Sequence, residues 1–143
     1  MRLSAEDRLE IHDLYARYAH TFDRADADGW AALFTPDASF TPPGLPPVVG
    51  TDALRAFIAG RSSDFPGMRH LIANITIEET PDGAAASAYF CCFRLGGDST
   101  LRMRNFGRYD DVLRRHQGKW RIAARQITSE LPVDLVDQPF AFG

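Results

Sequence analysis

The hydrophobic pattern of this chain changes its period once, near residue 69, and that change constrains the fold more than any other feature. Before it, apolar residues recur every three or four positions, as on one face of a helix. After it, apolar and polar residues alternate, as they do in β-strands. The sequence therefore predicts helices followed by a sheet, an α+β fold with the helices on one face of the sheet.

Three helices are predicted in the first part of the chain. The first covers about residues 4–24, and Ser4 with Asp7 makes a variant of the capping box at its start. A short second helix is capped at Asp28-Gly29, and a third begins with Thr51 as its cap.

Strands are predicted on both sides of the third helix. A short strand at 38–41 is followed by a loop at 42–47, where four prolines fix φ and remove hydrogen-bond donors. Because only short turns join the later strands, we expect antiparallel neighbours. These strands lie at 69–79, 84–95, 101–114 and 120–130.

Length and composition narrow the functional classes. The chain has 143 residues, of which 45% are hydrophobic and 24% are charged, as is typical of one globular domain. The net charge of −3 argues against nucleic-acid binding, which needs a basic face. Apolar runs are too short for a membrane span, and the N-terminal residues lack the apolar core of a secretory signal. We therefore expect a cytoplasmic protein.

The two cysteines, Cys91 and Cys92, are adjacent and cannot link distant segments by a disulfide. The sequence has neither zinc-ligand spacing nor a glycine-rich phosphate loop. We therefore expect neither a metal nor another cofactor.

The first long strand leaves two interpretations open. Its odd positions, such as Leu71 and Ile75, are apolar, whereas its even positions include His70 and Asn74. Either the odd face is core and His70 is exposed, or His70, Ile72 and Asn74 face a partly polar cavity. The next strand is apolar on both faces, which favours a homodimer or homotrimer that covers the second face.

The last residues have no periodic pattern but are rich in apolar side chains, in contrast to a typical disordered tail. We predict one domain over residues 1–131 and a C-terminal tail, 132–143, that docks on its own subunit or on a neighbour. The apolar residues of this tail are Val133, Leu135, Val136, Phe140 and Phe142.

Six segments resemble those of a known family, both in their residues and in their order and spacing. They are residues 11–18, 22–23, 30–38, 69–74, 107–111 and 118–122. Together they resemble the SnoaL-like proteins of the nuclear-transport-factor-2-like superfamily, over about residues 4–130. The resemblance implies a cone-shaped α+β barrel, in which three N-terminal helices pack on a strongly curved, mixed and mainly antiparallel sheet around a pocket. This superfamily contains dehydratases, dehydrochlorinases, polyketide cyclases and non-catalytic small subunits of ring-hydroxylating dioxygenases, so the fold does not decide the function.

The dehydratase and dehydrochlorinase branch uses an aspartate–histidine pair in the pocket. Its aspartate lies ten residues after the Asp of an Asp-Leu-Tyr motif, as Asp23 follows Asp13 here, and its histidine begins the first long strand, as His70 does. The resemblance therefore implies that Asp23 and His70 are catalytic. Phe22 stands where scytalone dehydratase has Tyr, and Tyr18 stands where the dehydrochlorinase has Lys, so neither substrate transfers.

A neutral histidine is a usable general base near neutral pH, and an aspartate on its other ring nitrogen would fix the tautomer. The first hypothesis is a cofactor-free lyase or isomerase that removes a proton from a small apolar or aromatic ligand. Arg125 has two interpretations: it contacts the ligand, or it has a structural role in an ion pair with Asp110 or Asp111. The candidate ligand contacts are Tyr15, Tyr18, Trp30, Phe40, Ile72, Asn74, Phe90, Arg125 and Ser129.

Two other functions stay open. A non-catalytic binding or assembly module, like a dioxygenase small subunit, would need an exposed interface and would not need Asp23. A hydrolase of this superfamily would need an Asp-Arg-Asp set that activates water, and the sequence gives no clear arrangement of that kind.

Overall fold

The elements follow the predicted order, with helices first and the sheet second. The computed structural model describes residues 2–64 and 66–140. Its helices are α1 (Ala5–Asp23), α2 (Ala27–Ala31) and α3 (Thr51–Ala59), with 3₁₀ turns at Ser62–Asp64 and Val133–Leu135. Its strands are β1 (Phe34–Thr41), β2 (Val48–Val49), β3 (Met68–Thr80), β4 (Gly83–Leu95), β5 (Leu101–His116) and β6 (Lys119–Ser129).

The strands form one mixed sheet in the order β2-β1-β6-β5-β4-β3. Neighbours are antiparallel, except that β1 runs parallel to β6. Strands β3 to β6 form the predicted meander, and β1 extends it on the β6 side. The α+β prediction is confirmed, while β2 and β3 stand at the two edges of an open sheet instead of closing a barrel.

Two helix starts differ from the prediction. The N-cap of α2 is Asp26, whose side chain accepts a hydrogen bond from the backbone of Gly29, so the cap precedes Asp28. The N-cap of α3 is Gly50, with a φ of +88° that favours glycine, and Thr51 is the first helical residue. Among the helices described, none is long and apolar enough to cross a membrane.

A β-bulge in β3 decides between the two interpretations of that strand. The pairing with β4 shifts register between Ala73 and Thr76, and Asn74 has a φ of +56°. Before the bulge, Ile72 packs against the core; after it, Ile75 and Ile77 do. Because a bulge inserts one extra residue, the even positions face inward in the first half of β3 and the odd positions in the second half.

The outer face of the sheet carries large exposed apolar side chains. Leu71 on β3 is 60% exposed, Tyr89 on β4 is 61% exposed, and Phe106 on β5 is 44% exposed. They line a half-open groove on the side of the sheet that faces away from the helices. The strand pattern indicated such a second apolar face, and the homodimer or homotrimer that would cover it stays a prediction.

The C-terminal segment lies along β5 of its own chain as far as it is described. The backbone N–H of Asp137 donates to the carbonyl of Met103, and its carboxylate accepts from Arg104 at 2.8 Å. The Phe140 ring lies 5.9 Å from that of Phe93. Phe142 lies outside the described residues, and the division of the chain at residue 131 stays a prediction.

Hydrogen bonds of the Asp7 side chain connect the start of α1 with the hairpin between β5 and β6. Its carboxylate accepts from the backbone of Ser4 at 2.7 Å, in the predicted capping box, and from the indole of Trp120 at 3.0 Å. The guanidinium of Arg115 also donates to it. The Trp120 hydrogen bond above all, followed by those from Ser4, holds the pKa of Asp7 well below its ordinary value of 3.8.

We expect the Asp7→Asn variant to be less stable than wild type at neutral pH, with a deficit that shrinks in acid. A carboxyl whose pKa is lower in the folded state stabilises the fold above its unfolded pKa of about 3.9, and that contribution is lost as the pH falls through the folded pKa. Urea unfolding of both proteins at several pH values between about 3 and 7 measures this. A deficit that stays constant over this range would contradict the assignment.

Candidate functional site

The sheet and the helices line a half-open cavity of about 330 Å³ on the inner face of the sheet. Six of its 17 lining residues are aromatic, with phenylalanines from α1, β1, α3 and β4 and tyrosines from α1 and β5. Arg61, Asp64 and Arg104 also line it, as do the proline-rich loop after β1 and His70 on β3. A small cavity of this composition suits a small, largely apolar ligand with a few oriented polar groups.

Asp23 and His70 meet at one wall of this cavity. Asp23 is the last residue of α1, and one of its carboxylate oxygens lies 2.6 Å from Nδ1 of His70. The other oxygen accepts a 2.9 Å hydrogen bond from the backbone N–H of His70. Because both oxygens are held by the same residue, the carboxylate and the imidazole have one fixed relative orientation.

The surroundings of this pair are largely closed to solvent. The side chains of His70 and Asp23 are 8% and 9% exposed, and the Phe22 ring lies 4.7 Å from the imidazole, tilted by 63°. With Nδ1 donating to the carboxylate, Nε2 is the ring nitrogen left for a molecule in the cavity. The arrangement can therefore supply a base to an apolar space.

Cys92 also lies beside His70, with its sulfur 4.0 Å from Nδ1. Burial, followed by the negative charge of Asp23, raises the pKa of the Cys92 thiol to about 12. The thiol is therefore neutral at physiological pH, and its environment is the opposite of the one that activates a cysteine nucleophile.

A buried ion pair lies deeper in the core. Arg125 on β6 donates to both carboxylate oxygens of Asp111 on β5, at 2.8 and 2.7 Å, and neither side chain is exposed. Tyr15 on α1 donates its hydroxyl to the same carboxylate. Arg125 thus pairs with Asp111, one of the two partners that the sequence allowed. Burial opposes the charge of the guanidinium, but Asp111 holds the pKa of Arg125 above its ordinary value, so it stays charged.

The sequence-predicted ligand contacts divide into two groups. Those that line the cavity are Tyr18, Phe40 and Phe90. Those that stand outside its lining are Tyr15, Trp30, Ile72, Asn74, Arg125 and Ser129.

Packing explains the positions of the second group. Trp30 is fully buried, with its ring 4.7 Å from that of Phe34 and 5.1 Å from that of Phe40, so it supports the cavity wall from behind. The bulge turns Asn74 to the outer groove of the sheet. Ser129 is exposed and donates to Asn105, which does line the cavity.

Several lining residues were missed by the sequence analysis. Phe57 on α3 lines the cavity, and strand alternation could have indicated Tyr109, since it shares the inward face of β5 with Asp111. Pro42, Pro43 and Leu45 close one side, although the loop was predicted only as a stiff connection. A local pattern does not show where such a loop will pack.

Solved structures of similar proteins share this fold. One is Rv3472 from Mycobacterium tuberculosis, a protein of unknown function: it is 29% identical, the match covers 90% of this chain and 74% of that one, and the TM-score is 0.80. Another is an NTF2-like protein from Novosphingobium aromaticivorans, at 26% identity, coverage of 91% and 86%, and a TM-score of 0.80. A third, from Catenulispora acidiphila, was solved in complex with S-DNPA; it has 25% identity, coverage of 89% and 96%, and a TM-score of 0.81.

The comparison with curated proteins found no match. The family model described as a SnoaL-like domain matches residues 3–126, which is most of the chain and includes Asp23, His70 and every residue of the cavity lining except Ile127. By this match and by its fold, the chain belongs to the SnoaL-like domain family.

Proposed function

We propose that this protein is a cofactor-free lyase or isomerase in which His70, oriented by Asp23, removes a proton from a small, largely apolar ligand. The observation that carries the proposal is the 2.6 Å contact between Asp23 and Nδ1 of His70 at the wall of an aromatic cavity. Membership of the SnoaL-like family and the complex of the Catenulispora acidiphila protein with S-DNPA support small-molecule binding.

The chemistry follows from the two nitrogens of one imidazole. Nδ1–H donates to the carboxylate, which stabilises the imidazolium that forms when Nε2 takes a proton. Removal of a proton beside a leaving group gives elimination, and removal beside a carbonyl followed by redelivery gives isomerisation. General-base catalysis of this kind contributes about 10²- to 10⁴-fold.

The apolar wall increases the effect of the base. Phe22 and Phe90 line the same cavity as His70, and little water reaches the buried pair. In such surroundings a fixed carboxylate acts on the imidazole more strongly than it would in water.

The test uses 5-nitrobenzisoxazole, a flat apolar probe from which a base removes one C–H proton. The nitrogen–oxygen bond breaks as the proton leaves, and the coloured product is a cyanophenolate, so no cofactor is needed. We expect wild-type protein to accelerate this elimination and His70→Gln to lose about 100-fold of the acceleration. The matched control, His12→Gln, changes an exposed histidine on α1 and should react as wild type does.

Equal rates for wild type and His70→Gln would overturn the proposal. That result would favour a non-catalytic binding or assembly module, for which the exposed apolar outer face of the sheet is the supporting observation.

A further inference from the structure

A second β-bulge, on β5, places a charged side chain on the cavity wall. The pairing of β4 with β5 shifts register between Cys92 and Phe93, and Arg104 is the extra residue on β5. Successive residues of a regular strand point to opposite faces, yet Arg104 and its neighbour Asn105 both line the cavity. The bulge therefore turns the Arg104 side chain to the inner face of the sheet, and bulges beside ligand sites commonly re-aim a side chain in this way.

Arg104 lies on the same wall as His70, two strands away. His70 pairs with Cys92, and Cys92 pairs with Asn105, so these residues form one row across β3, β4 and β5. Two strand spacings amount to about 10 Å. Burial and then the charge of Asp23 raise the pKa of the Cys92 thiol, and the positive charge of Arg104 opposes that rise, as a cation near this row does. A molecule of two fused aromatic rings with one substituent is long enough to reach from His70 to Arg104.

The guanidinium of Arg104 is held at one nitrogen. Its Nη1 donates to the Asp137 carboxylate of the C-terminal segment at 2.8 Å, and no hydrogen bond from Nε or Nη2 is found among the residues that the structure describes. Nε and Nη2 form one edge of the planar group, and such an edge gives a carboxylate two parallel charge-assisted hydrogen bonds. A phosphate presents three strong acceptor oxygens, more than this edge satisfies. Asp137 therefore fixes the arginine and leaves an edge that suits a second carboxylate.

Two further arginines lie at the end of the same hairpin. Arg94 on β4 stands directly opposite Arg102 on β5, and like charges in this position repel each other. Asp98 pairs with Arg102 at 3.1 Å, while Arg94 has no ion pair in the part of the chain that is described. A groove lined by these two arginines also contains Asp137, the partner of Arg104. This end of the sheet is therefore basic, and it attracts an anion toward Arg104.

Arg61 places another positive charge on the cavity lining. The central carbon of its guanidinium lies 3.9 Å from the Phe57 ring centroid, and its Nη1 donates to the Phe57 carbonyl at 3.3 Å. Asp64 is the one acidic residue among the described lining residues, and it is exposed. A cavity with an aromatic wall, two arginines and one exposed acid favours an apolar molecule that carries one negative charge.

We infer that the ligand is a small aromatic carboxylate, whose carboxylate binds Nε and Nη2 of Arg104 while its rings lie against the aromatic wall of the cavity. This inference rests on the proposed function, because it names the substrate class of the same cavity. The carboxylate is not the reacting group. It holds the molecule so that a C–H group comes to Nε2 of His70, with Asp137 positioning the arginine.

The test compares 2-naphthoate with 2-naphthamide, two ligands of nearly the same shape that differ in charge at neutral pH. Calorimetry gives the preference as the ratio of the two dissociation constants. We expect wild type to bind the carboxylate at least tenfold more tightly than the amide, and Arg104→Gln to lower that preference at least tenfold, since hydrogen bonds to charged groups have effects of this size. Binding of the neutral amide reports whether each variant still has a folded cavity.

Arg108→Gln is the matched control. Arg108 is on the same strand but lines the outer groove, where it pairs with Asp110 and Glu130. Its loss removes the same charge and should leave the preference unchanged. Arg104→Lys keeps the charge but not the planar edge, so its preference should lie between those of wild type and Arg104→Gln.

A change at Asp137 tests the same contact in the opposite direction. Asp137→Asn removes the negative charge beside Arg104 but keeps an acceptor oxygen for Nη1. Naphthoate should then bind about two- to fivefold more tightly, the effect of one partly exposed charge pair, and naphthamide should bind as it does to wild type. A purely structural role of the pair between Arg104 and Asp137 would not produce this gain.

An unchanged preference in Arg104→Gln, or no gain of naphthoate affinity in Asp137→Asn, would overturn the inference. A wild-type protein that binds the amide as tightly as the carboxylate, or that binds neither, would overturn it without any variant. The readout is binding and not turnover, and His70→Gln should keep the preference. Failure of the base at His70 is therefore distinguishable from failure of the carboxylate site at Arg104.

Discussion

Replacement of Asp23 by asparagine should leave the fold intact and lower the rate of 5-nitrobenzisoxazole elimination at least tenfold. Each carboxylate oxygen of Asp23 accepts one hydrogen bond from His70, from the backbone N–H and from Nδ1. Asparagine has an acceptor oxygen at only one of these two positions, and the other position is taken by its NH₂ group. If that oxygen keeps the backbone N–H, the amide NH₂ faces Nδ1.

The consequence is a change of tautomer. An amide that donates to Nδ1 of His70 forces the ring proton onto Nε2, so the nitrogen nearest the ligand no longer has a lone pair for a proton. The loss of the negative charge also removes the stabilisation of the imidazolium. Both effects act on the same step, and neither removes a core contact.

The control for this experiment is Asp13→Asn on the same helix. Asp13 is exposed and pairs with Arg17 four residues later, a surface contact that water and salt screen. Its rate should match wild type. Equal rates for Asp23→Asn and Asp13→Asn would remove Asp23 from the proposed mechanism, whatever His70 does.

The second large effect is expected on stability. Asp111→Asn should lower the free energy of unfolding by about 3–5 kcal/mol, because it leaves the fully buried guanidinium of Arg125 without its counter-charge. Tyr15 would lose its charged acceptor in the same change. For a domain of this size, the midpoint of thermal unfolding should fall by roughly 10 °C.

The preceding residue in the strand, Asp110, is a matched control. Asp110 points to the opposite face of β5, is exposed, and pairs with Arg108 at the surface. Asp110→Asn should change the free energy of unfolding by less than about 0.5 kcal/mol. Urea unfolding of the two variants gives the comparison, and similar losses in both would show that the buried pair has no special role in stability.

Features that depend on nearby residues could be predicted from the sequence. The capping box formed by Ser4 and Asp7 begins α1, and the alternation after residue 68 produces the four-stranded meander. Both arise from hydrogen bonds and side-chain spacing within a few positions of the chain. The positions of Asp23 and His70 came from the resemblance to SnoaL-like proteins, and the structure brings the two side chains together.

The direction of the His70 side chain was not available from alternation. It depends on the bulge at Asn74, and a bulge is a property of the pairing between β3 and β4. When both faces of a strand carry apolar groups, the alternation of apolar and polar residues does not reveal where one extra residue is inserted. The sequence therefore left two interpretations, and each is correct for one half of the strand.

The role of Arg125 also required the tertiary structure. The sequence allowed a ligand contact or an ion pair, and the fold places its guanidinium against Asp111 and three tyrosine rings that come from α1 and β5. The lining of the cavity also required the tertiary structure, because it combines residues from α1, α3, β3, β5 and the proline-rich loop. Periodicity and capping by themselves determined the order and type of the elements, since those depend on neighbours in the chain. Only the tertiary structure decided which side chains share the cavity, since that depends on contacts between residues far apart in sequence.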